Sequence, residues 1–240
     1  AAFPQNSETE KFLRRLKVKK IKKIGNLKFC ETKTQKTINL EKPFLKSIKK
    51  RIIFCASSTH PREEDEIAQT HLALKKKYKR LLTIIVPRHT DRIKEIYDQL
   101  ISLNLKTIIR TSNKKVFNDT DIYLVNTYGE TKKFFNISKI VFIGGSIINH
   151  GGQNPIEPAR FGLNILHGPN VQNFKDIYHL FNKLKIAHKF INTKQLINIS
   201  DKLLTSKKNR KINLEKMGNL ILKKSVIEID KIFNNELKKT

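Results

Sequence analysis

Four short stretches of the chain gather side chains able to handle an anion. They are Ser57-Ser58-Thr59-His60-Pro61, Val86-Pro87-Arg88-His89, Asn126-Thr127-Tyr128-Gly129-Glu130, and Gly144-Gly145-Ser146 followed by Gly151-Gly152-Gln153-Asn154-Pro155-Ile156-Glu157. Ser58, Thr59 and His60 either cap a helix, with Thr59 or His60 as N-cap and Pro61 near its first position, or hold a phosphate with hydroxyls and free N–H groups. Arg88 directly follows an apolar run, and a guanidinium there can give a phosphate two hydrogen bonds. His89 either titrates or is structural. Thr127 and Glu130 have the spacing of a capping box, and Gly129 lets a backbone come close to a ligand.

The last stretch is the most specific. Four of the nine glycines fall within nine residues. Its spacing is neither a P-loop nor a dinucleotide fingerprint. Asn154 as N-cap, Pro155 at the first position and Glu157 at the third predict a helix start, whose bare N–H groups favour an anion. Glu157 would repel that anion if it faced it; it either accepts from ribose hydroxyls beside the phosphate or completes a capping box. No DxD-like acidic cluster and no His/Cys ligand spacing calls for a metal, and no cofactor is implied. Phosphate charge would fall to Arg88, lysines and helix ends.

These stretches need a scaffold, and hydropathy supplies one. Short β-branched runs at Ile52–Ala56, Leu81–Val86, Lys106–Arg110, Asp121–Val125, Lys139–Ile143, Leu163–Leu166 and Ala187–Ile191 predict strands. Amphipathic stretches at Glu63–Lys77, Asp91–Leu103, Glu130–Phe135, Pro155–Phe161, Phe174–Lys183 and Thr193–Leu204 predict helices between them. Nearly unbroken apolar strands alternating with helices argue an α/β fold, a Rossmann-like parallel sheet with helices on both faces. In such sheets ligands bind beyond the carboxyl ends of the strands, where all four stretches fall. Residues 1–24 read as a short helix and a strand, residues 31–50 as a Lys-rich linker, and the stretch after Lys207–Lys211 as a long helix.

Composition narrows the class. The 240 residues carry 49 Lys and Arg against 21 Asp and Glu, a net charge of +28. Ile, Leu, Val and Phe make up about a third of the chain, enough to bury a core and exclude a disordered basic tail. Only ten of the basic residues are Arg, and the lysines run from Lys11 to Lys239. Base readers concentrate Arg on one face, so nucleic acid is not the expected partner; a Lys-biased composition or an anionic lipid surface suits the charge better. No run reaches the ~18 apolar residues of a membrane span. Cys30 and Cys55 are lone thiols. The only methionine is Met217, so Ala1 is not a translation start and a segment is expected upstream of it.

In this order, Gly25-Asn26-Leu27-Lys28-Phe29, Ser58-Thr59-His60-Pro61, Val86-Pro87-Arg88-His89, Thr127-Tyr128-Gly129-Glu130, Gly144-Gly145-Ser146, Gly151-Gly152-Gln153-Asn154-Pro155-Ile156-Glu157-Pro158-Ala159 and Gly168-Pro169-Asn170 resemble the 3-deoxy-D-manno-octulosonic acid (Kdo) transferases of lipopolysaccharide synthesis. The resemblance runs from about Gln5 to Leu204. It implies the C-terminal, donor-binding half of a GT-B glycosyltransferase, inverting and metal-independent. Its donor would be CMP-Kdo and its acceptor lipid A or the tetraacylated precursor. The whole protein would work at the cytoplasmic face of the bacterial inner membrane, reaching it through the absent N-terminal half.

On this resemblance residues 1–24 end the N-terminal half, 25–206 form the donor domain, and 207–240 form a helix returning toward that half. The CMP contacts fall on Pro87, Arg88, Tyr128, Gly129, Glu130, Asn154, Pro155, Ile156 and Glu157, with Ser58, Thr59, His60, Gly144, Gly145 and Ser146 in support. Lys28 would stabilise the transition state. The general base would be a Glu of the N-terminal half, leaving this chain inactive alone. Gln153, Asn126 and Tyr128 depart from the family's usual His, Asp and Met. Two rival readings stay open: another GT-B sugar-nucleotide enzyme, either a UDP-sugar transferase or an epimerase, and a basic module for nucleic acid or membrane.

Overall fold

The structure is a computed structural model that describes residues 1–30, 40–111, 115–206 and 214–237. It divides into two compact units, Ala1–Lys36 with Ile212–Thr240, and Thr37–Lys211.

In the smaller unit, α1 (Ser7–Arg15) starts where the Asn6 side chain accepts from the Thr9 N–H at 2.7 Å. The strand expected before Gly25 is reduced to a single bridge between Ala2 and Ile21. A 3₁₀ turn, Leu27–Cys30, packs on the C-terminal helix of this unit (Leu214–Leu237). The approach is close: a Cβ on Gly218 would sit 2.1 Å from the Phe29 carbonyl oxygen, so no larger residue fits there.

The larger unit opens with α2 (Lys42–Ile48), a helix in the stretch expected to be linker, started by Pro43; the rest of that stretch, 31–39, lies outside the described residues. It continues with β1 (Ile52–Thr59), α3 (Glu63–Lys75), β2 (Leu81–Pro87), α4 (Ile93–Ser102), β3 (Thr107–Ile109) and β4 (Ile122–Leu124). Then come α5 (Thr131–Ile137), β5 (Ile140–Ile143), α6 (Ile156–Arg160), β6 (Asn164–His167), α7 (Lys175–Lys183), β7 (Ala187–Lys189) and α8 (Thr193–Thr205); the C-terminal helix is α9. The seven strands form one sheet in the order β3-β4-β2-β1-β5-β6-β7, every pairing parallel.

The seven expected strands and the helices between them are present, with shifted ends. Burial on both faces explains their legibility: Phe54, Ala56, Leu82, Ile84, Ile85, Leu124, Val141 and Phe142 are fully buried. The chain turns from β1 to β2 in one direction and to β5 in the other, so the crevice between β1 and β5 is the switch point where such sheets bind ligands.

The opposite, amino-terminal edge is closed by one guanidinium. Arg51, just before β1, donates to the carbonyls of Arg80, Leu81, Phe117 and Thr120, at 3.1, 2.7, 2.9 and 2.5 Å. These come from the start of β2 and the loop before β4, so one side chain at the start of β1 ties the beginnings of three strands together. Beside it the buried Asp121 carboxylate is held well down, at about 2, by His71, Lys75 and the Lys106 N–H, against the opposing effect of its burial. Arg51→Met should lower stability by about 2–3 kcal/mol, because partly buried carbonyls lose charge-assisted donors. Urea unfolding with an unchanged m-value measures this; a midpoint equal to wild type would show that water replaces the guanidinium without loss.

Candidate functional site

The carboxyl ends of β4, β2, β1 and β5 lie side by side, and the four stretches singled out above follow those ends in turn. β1 runs on to Thr59, which pairs with Pro87, and the Arg88 N–H donates to the Thr59 carbonyl at 2.9 Å. That pairing overrides the expected cap: Thr59 and His60 precede α3 without capping it. The helix begins at Glu63 after Arg62, which is left-handed at φ 76°.

Glu63 is the residue that sequence reasoning missed. Its side chain is fully buried and turns back from α3 into the switch point. Oε2 accepts from the N–H groups of His60 (3.0 Å) and Gly145 (2.8 Å); Oε1 accepts from those of Ser146 (3.0 Å) and Ile147 (2.9 Å). The N–H nest at Gly144-Gly145-Ser146, expected to support a ligand, is therefore occupied by the protein's own carboxylate. Burial raises the Glu63 pKa, while the four N–H groups favour the ionised form. Gly144 is required here for space: a Cβ would lie 2.1 Å from the Ser58 carbonyl oxygen. Of the supporting residues, Ser58 is left-handed at φ 55°, and Ser146 is buried with its hydroxyl linking the Ile143 carbonyl to the Gly168 N–H.

Next in the sheet, Pro87 ends β2 and Arg88 follows it on the surface. Among the described residues the Arg88 guanidinium forms no ion pair. Beyond it, the turn after β4 carries Tyr128, 73% exposed, and Gly129, at φ 76° with open space where a Cβ would stand. Glu130 does not take the third helical position of a capping box, since α5 begins at Thr131. Its carboxylate instead receives the Thr127 hydroxyl, the Lys133 ammonium and Arg110, whose guanidinium also holds Glu41 (2.8 Å) and the Tyr123 hydroxyl (3.3 Å). Opposing its burial, these bonds hold the Glu130 pKa at about 2. Arg110 was not foreseen, having been assigned only to the end of a strand. A cavity of about 820 Å³ opens beside this cluster, lined by Phe44, Arg110, Tyr123, Thr127 and Glu130 among others.

Asn154 does not take the N-cap position expected of it: its Oδ1 accepts from the Ile156 N–H at 3.0 Å from one residue before the cap, Pro155 is the N-cap, Glu157 falls second rather than third, and α6 has five residues. One of the N–H groups expected to be bare is thus already satisfied. Glu157 is part-exposed and pairs with Lys132 of α5 at 3.0 Å, which brings the start of α6 against the helix that follows Glu130. Gln153 gives its carbonyl to the Tyr178 hydroxyl (3.0 Å), and Asn126 donates to the Thr111 hydroxyl (2.7 Å). Lys28 belongs to the smaller unit, exposed in the 3₁₀ turn, its N–H donating to the Asn26 side chain at 2.9 Å. A cavity of about 490 Å³ lies beside it in that unit. Among the described residues no group of three or more His, Cys, Asp or Glu could hold a metal ion, and no helix is long and apolar enough to cross a membrane.

No family model matches the chain. Curated relatives do. The 3-deoxy-D-manno-octulosonic acid transferase of Haemophilus influenzae is 34% identical over 170 residues, 70% of this chain and 39% of its own length. The transferase of the same name from Rickettsia bellii is 32% identical over 191 residues, 79% of this chain and 45% of its own. The chain thus spans less than half the length of these relatives. Among solved structures, the C-terminal CMP-Kdo binding domain of WaaA from Acinetobacter baumannii superposes with a TM-score of 0.63 at 26% identity, covering 73% of this chain and 90% of that domain. The parallel sheet is that of a C-terminal Rossmann-like domain of a GT-B glycosyltransferase.

Glu63→Gln tests the internal anion. An amide group would face two N–H donors that no longer have an acceptor, at about 1–3 kcal/mol each. The expected loss is about 2–4 kcal/mol in chemical unfolding, with the crevice loops exchanging amide hydrogens faster. A variant as stable as wild type would mean that the four N–H groups find other acceptors.

Proposed function

By sequence the chain belongs with the 3-deoxy-D-manno-octulosonic acid transferases, and on that premise we propose that its larger unit holds the nucleotide of a CMP-Kdo donor in a glycosyltransferase. The acceptor in this reading is lipid A or its tetraacylated precursor, met by the whole protein at the cytoplasmic face of the inner membrane. The main support is the likeness in sequence and fold to a CMP-Kdo binding domain, nearly all of which this chain covers.

The residues suit the chemistry. Loss of CMP from a sugar leaves a phosphate monoester dianion, and fixed positive groups act best where such charge develops. Arg88 stands at the end of β2, next to the switch point, and forms no ion pair among the described residues. The ribose hydroxyls would fall to Glu157, whose pair with Lys132 is part-exposed and weak enough to rearrange. Glu130, with three donors already on it, would shape the turn that presents Tyr128 and Gly129 to the nucleotide. Lys28 would stabilise the transition state, as the resemblance implies. The positive charge suits a substrate and a surface that are both anionic.

Isothermal titration of the 240-residue chain with CMP should show saturable binding that Arg88→Ala and Glu157→Ala each weaken at least about tenfold, the value of one charge-assisted contact. CMP should displace a fluorescent cytidine nucleotide where UDP does not. UDP competing as well as CMP would transfer the reading to another sugar-nucleotide enzyme, and affinity unchanged in both variants would remove these residues from the site.

A further inference from the structure

Three histidines meet at the switch point, one from each of three neighbouring strand ends. His60 follows β1, His89 follows β2, and His150 lies in the loop after β5. The His60 and His150 rings stand 4.2 Å apart between centroids, and His60 and His89 stand 5.9 Å apart, edge to face. A Cβ on Gly145 would lie 3.2 Å from the His150 ring and 3.4 Å from His60 Nε2, so the glycine leaves the room in which these rings meet. His60 is 5% exposed, and its buried Nε2 has no hydrogen-bond partner among the described residues. A buried ring nitrogen left unpaired costs about 1–3 kcal/mol unless something completes it.

The groups around it decide what that something is. Arg88 and Arg92 act on His60 from the β2 side, and His89 and His150 from either side, all with the sign of added positive charge. The two nearby carboxylates are already engaged: Glu63 by four N–H groups including that of His60, and Glu64 by Arg92 at 3.1 Å. Burial, then these neighbours, hold the His60 pKa down at about 4, so its imidazole is neutral at pH 7. A neutral imidazole with the proton on Nε2 is a donor seeking an oxygen in a locally positive field. We propose that His60, with His89 and His150 beside it, forms an oxyanion subsite at the β1–β5 crevice, His60 Nε2 donating to a phosphate or carboxylate oxygen of the ligand.

The inference rests on the nucleotide reading above and adds the atom that meets the ligand's charge. A CMP-linked sugar acid offers two such oxyanions, its phosphate and its carboxylate, and the experiment separates them. The full chain, with ¹⁵N-labelled histidine, is titrated with inorganic phosphate, CMP, cytidine and free Kdo while the imidazole shifts are followed. The expected result is a saturable shift at His60 Nε2 with CMP and phosphate but not cytidine if the phosphate sits there, or with Kdo if the carboxylate does. His60→Gln and the surface variant His150→Gln should each weaken that ligand about fivefold, one hydrogen bond's worth, and leave cytidine unchanged. CMP bound equally by wild type and both variants, with no imidazole shift from any anion, overturns the subsite and leaves the nucleotide reading standing. If wild type binds no CMP, the nucleotide reading falls. The phosphate and Kdo titrations then decide the subsite alone: a saturable shift upholds it, and none overturns it.

Discussion

A carboxylate without a proton, buried where two strand ends part, organises this fold. Glu63 must satisfy four N–H donors from two turns, and both of its oxygens accept twice. No lone-pair direction remains for a proton, so the geometry holds only while the group is charged. The four bonds together offset part of the cost of burying that charge, and losing any of them would leave more of it unmet. The turn after β5 is therefore fixed to the first turn of α3, Gly144 is pressed against Ser58, and His60 is held with its ring in the crevice. Backbone N–H groups that other α/β proteins offer to a phosphate are spent internally. On the proposed reading a ligand's anion would then be met by side chains, Arg88 and the imidazoles among them.

The same division runs through the other charges. Arg110 gathers Glu41, Glu130 and Tyr123 into one cluster between α2 and the ends of β3 and β4, and its own charge is reinforced by Glu130. Arg110, Glu130 and Tyr123 are largely buried, so the bonds among them are screened less than those of surface pairs, whereas Glu41 meets Arg110 from the surface. The surplus lysines behave differently. Lys77 with Asp201 and Lys106 with Asp119 are exposed pairs that add little to stability, and the chain's excess charge acts as a field rather than as fixed contacts.

The sheet was legible because each strand is buried on both faces and so reads as an apolar run, and the helices because each shows one apolar face. Pairings distant in sequence were not legible. Glu63 looks like any acid in the first turn of a helix, where the dipole alone would explain it; its partners at 145–147 lie about eighty residues away. Arg110 looked like the end of a strand, since its three partners come from α2, β4 and the next turn. The helix at Lys42–Ile48 was hidden in a Lys-rich stretch, and the helix itself buries only Ile48. The four turns were found because Gly, Pro, Asn and Glu mark them locally. Which partner each side chain takes was beyond local pattern, and that is where the capping box at Thr127 and the cap at Thr59 failed.

The two acids implied to touch the nucleotide thus stand in different states. Glu130 is tied by three donors and held ionised far below the ordinary carboxylate range. Adding ribose hydroxyls would compete with Arg110 and Lys133 for the same oxygens. Among the described residues Glu157 is paired with Lys132, and both side chains are about 30% exposed. Such a pair is worth at most about 1 kcal/mol and opens at little cost. Lys132 and Lys133 are adjacent on α5, so this helix joins the two acids. On the proposed reading the fixed acid sets the shape of the turn, and the loosely held one turns toward the sugar.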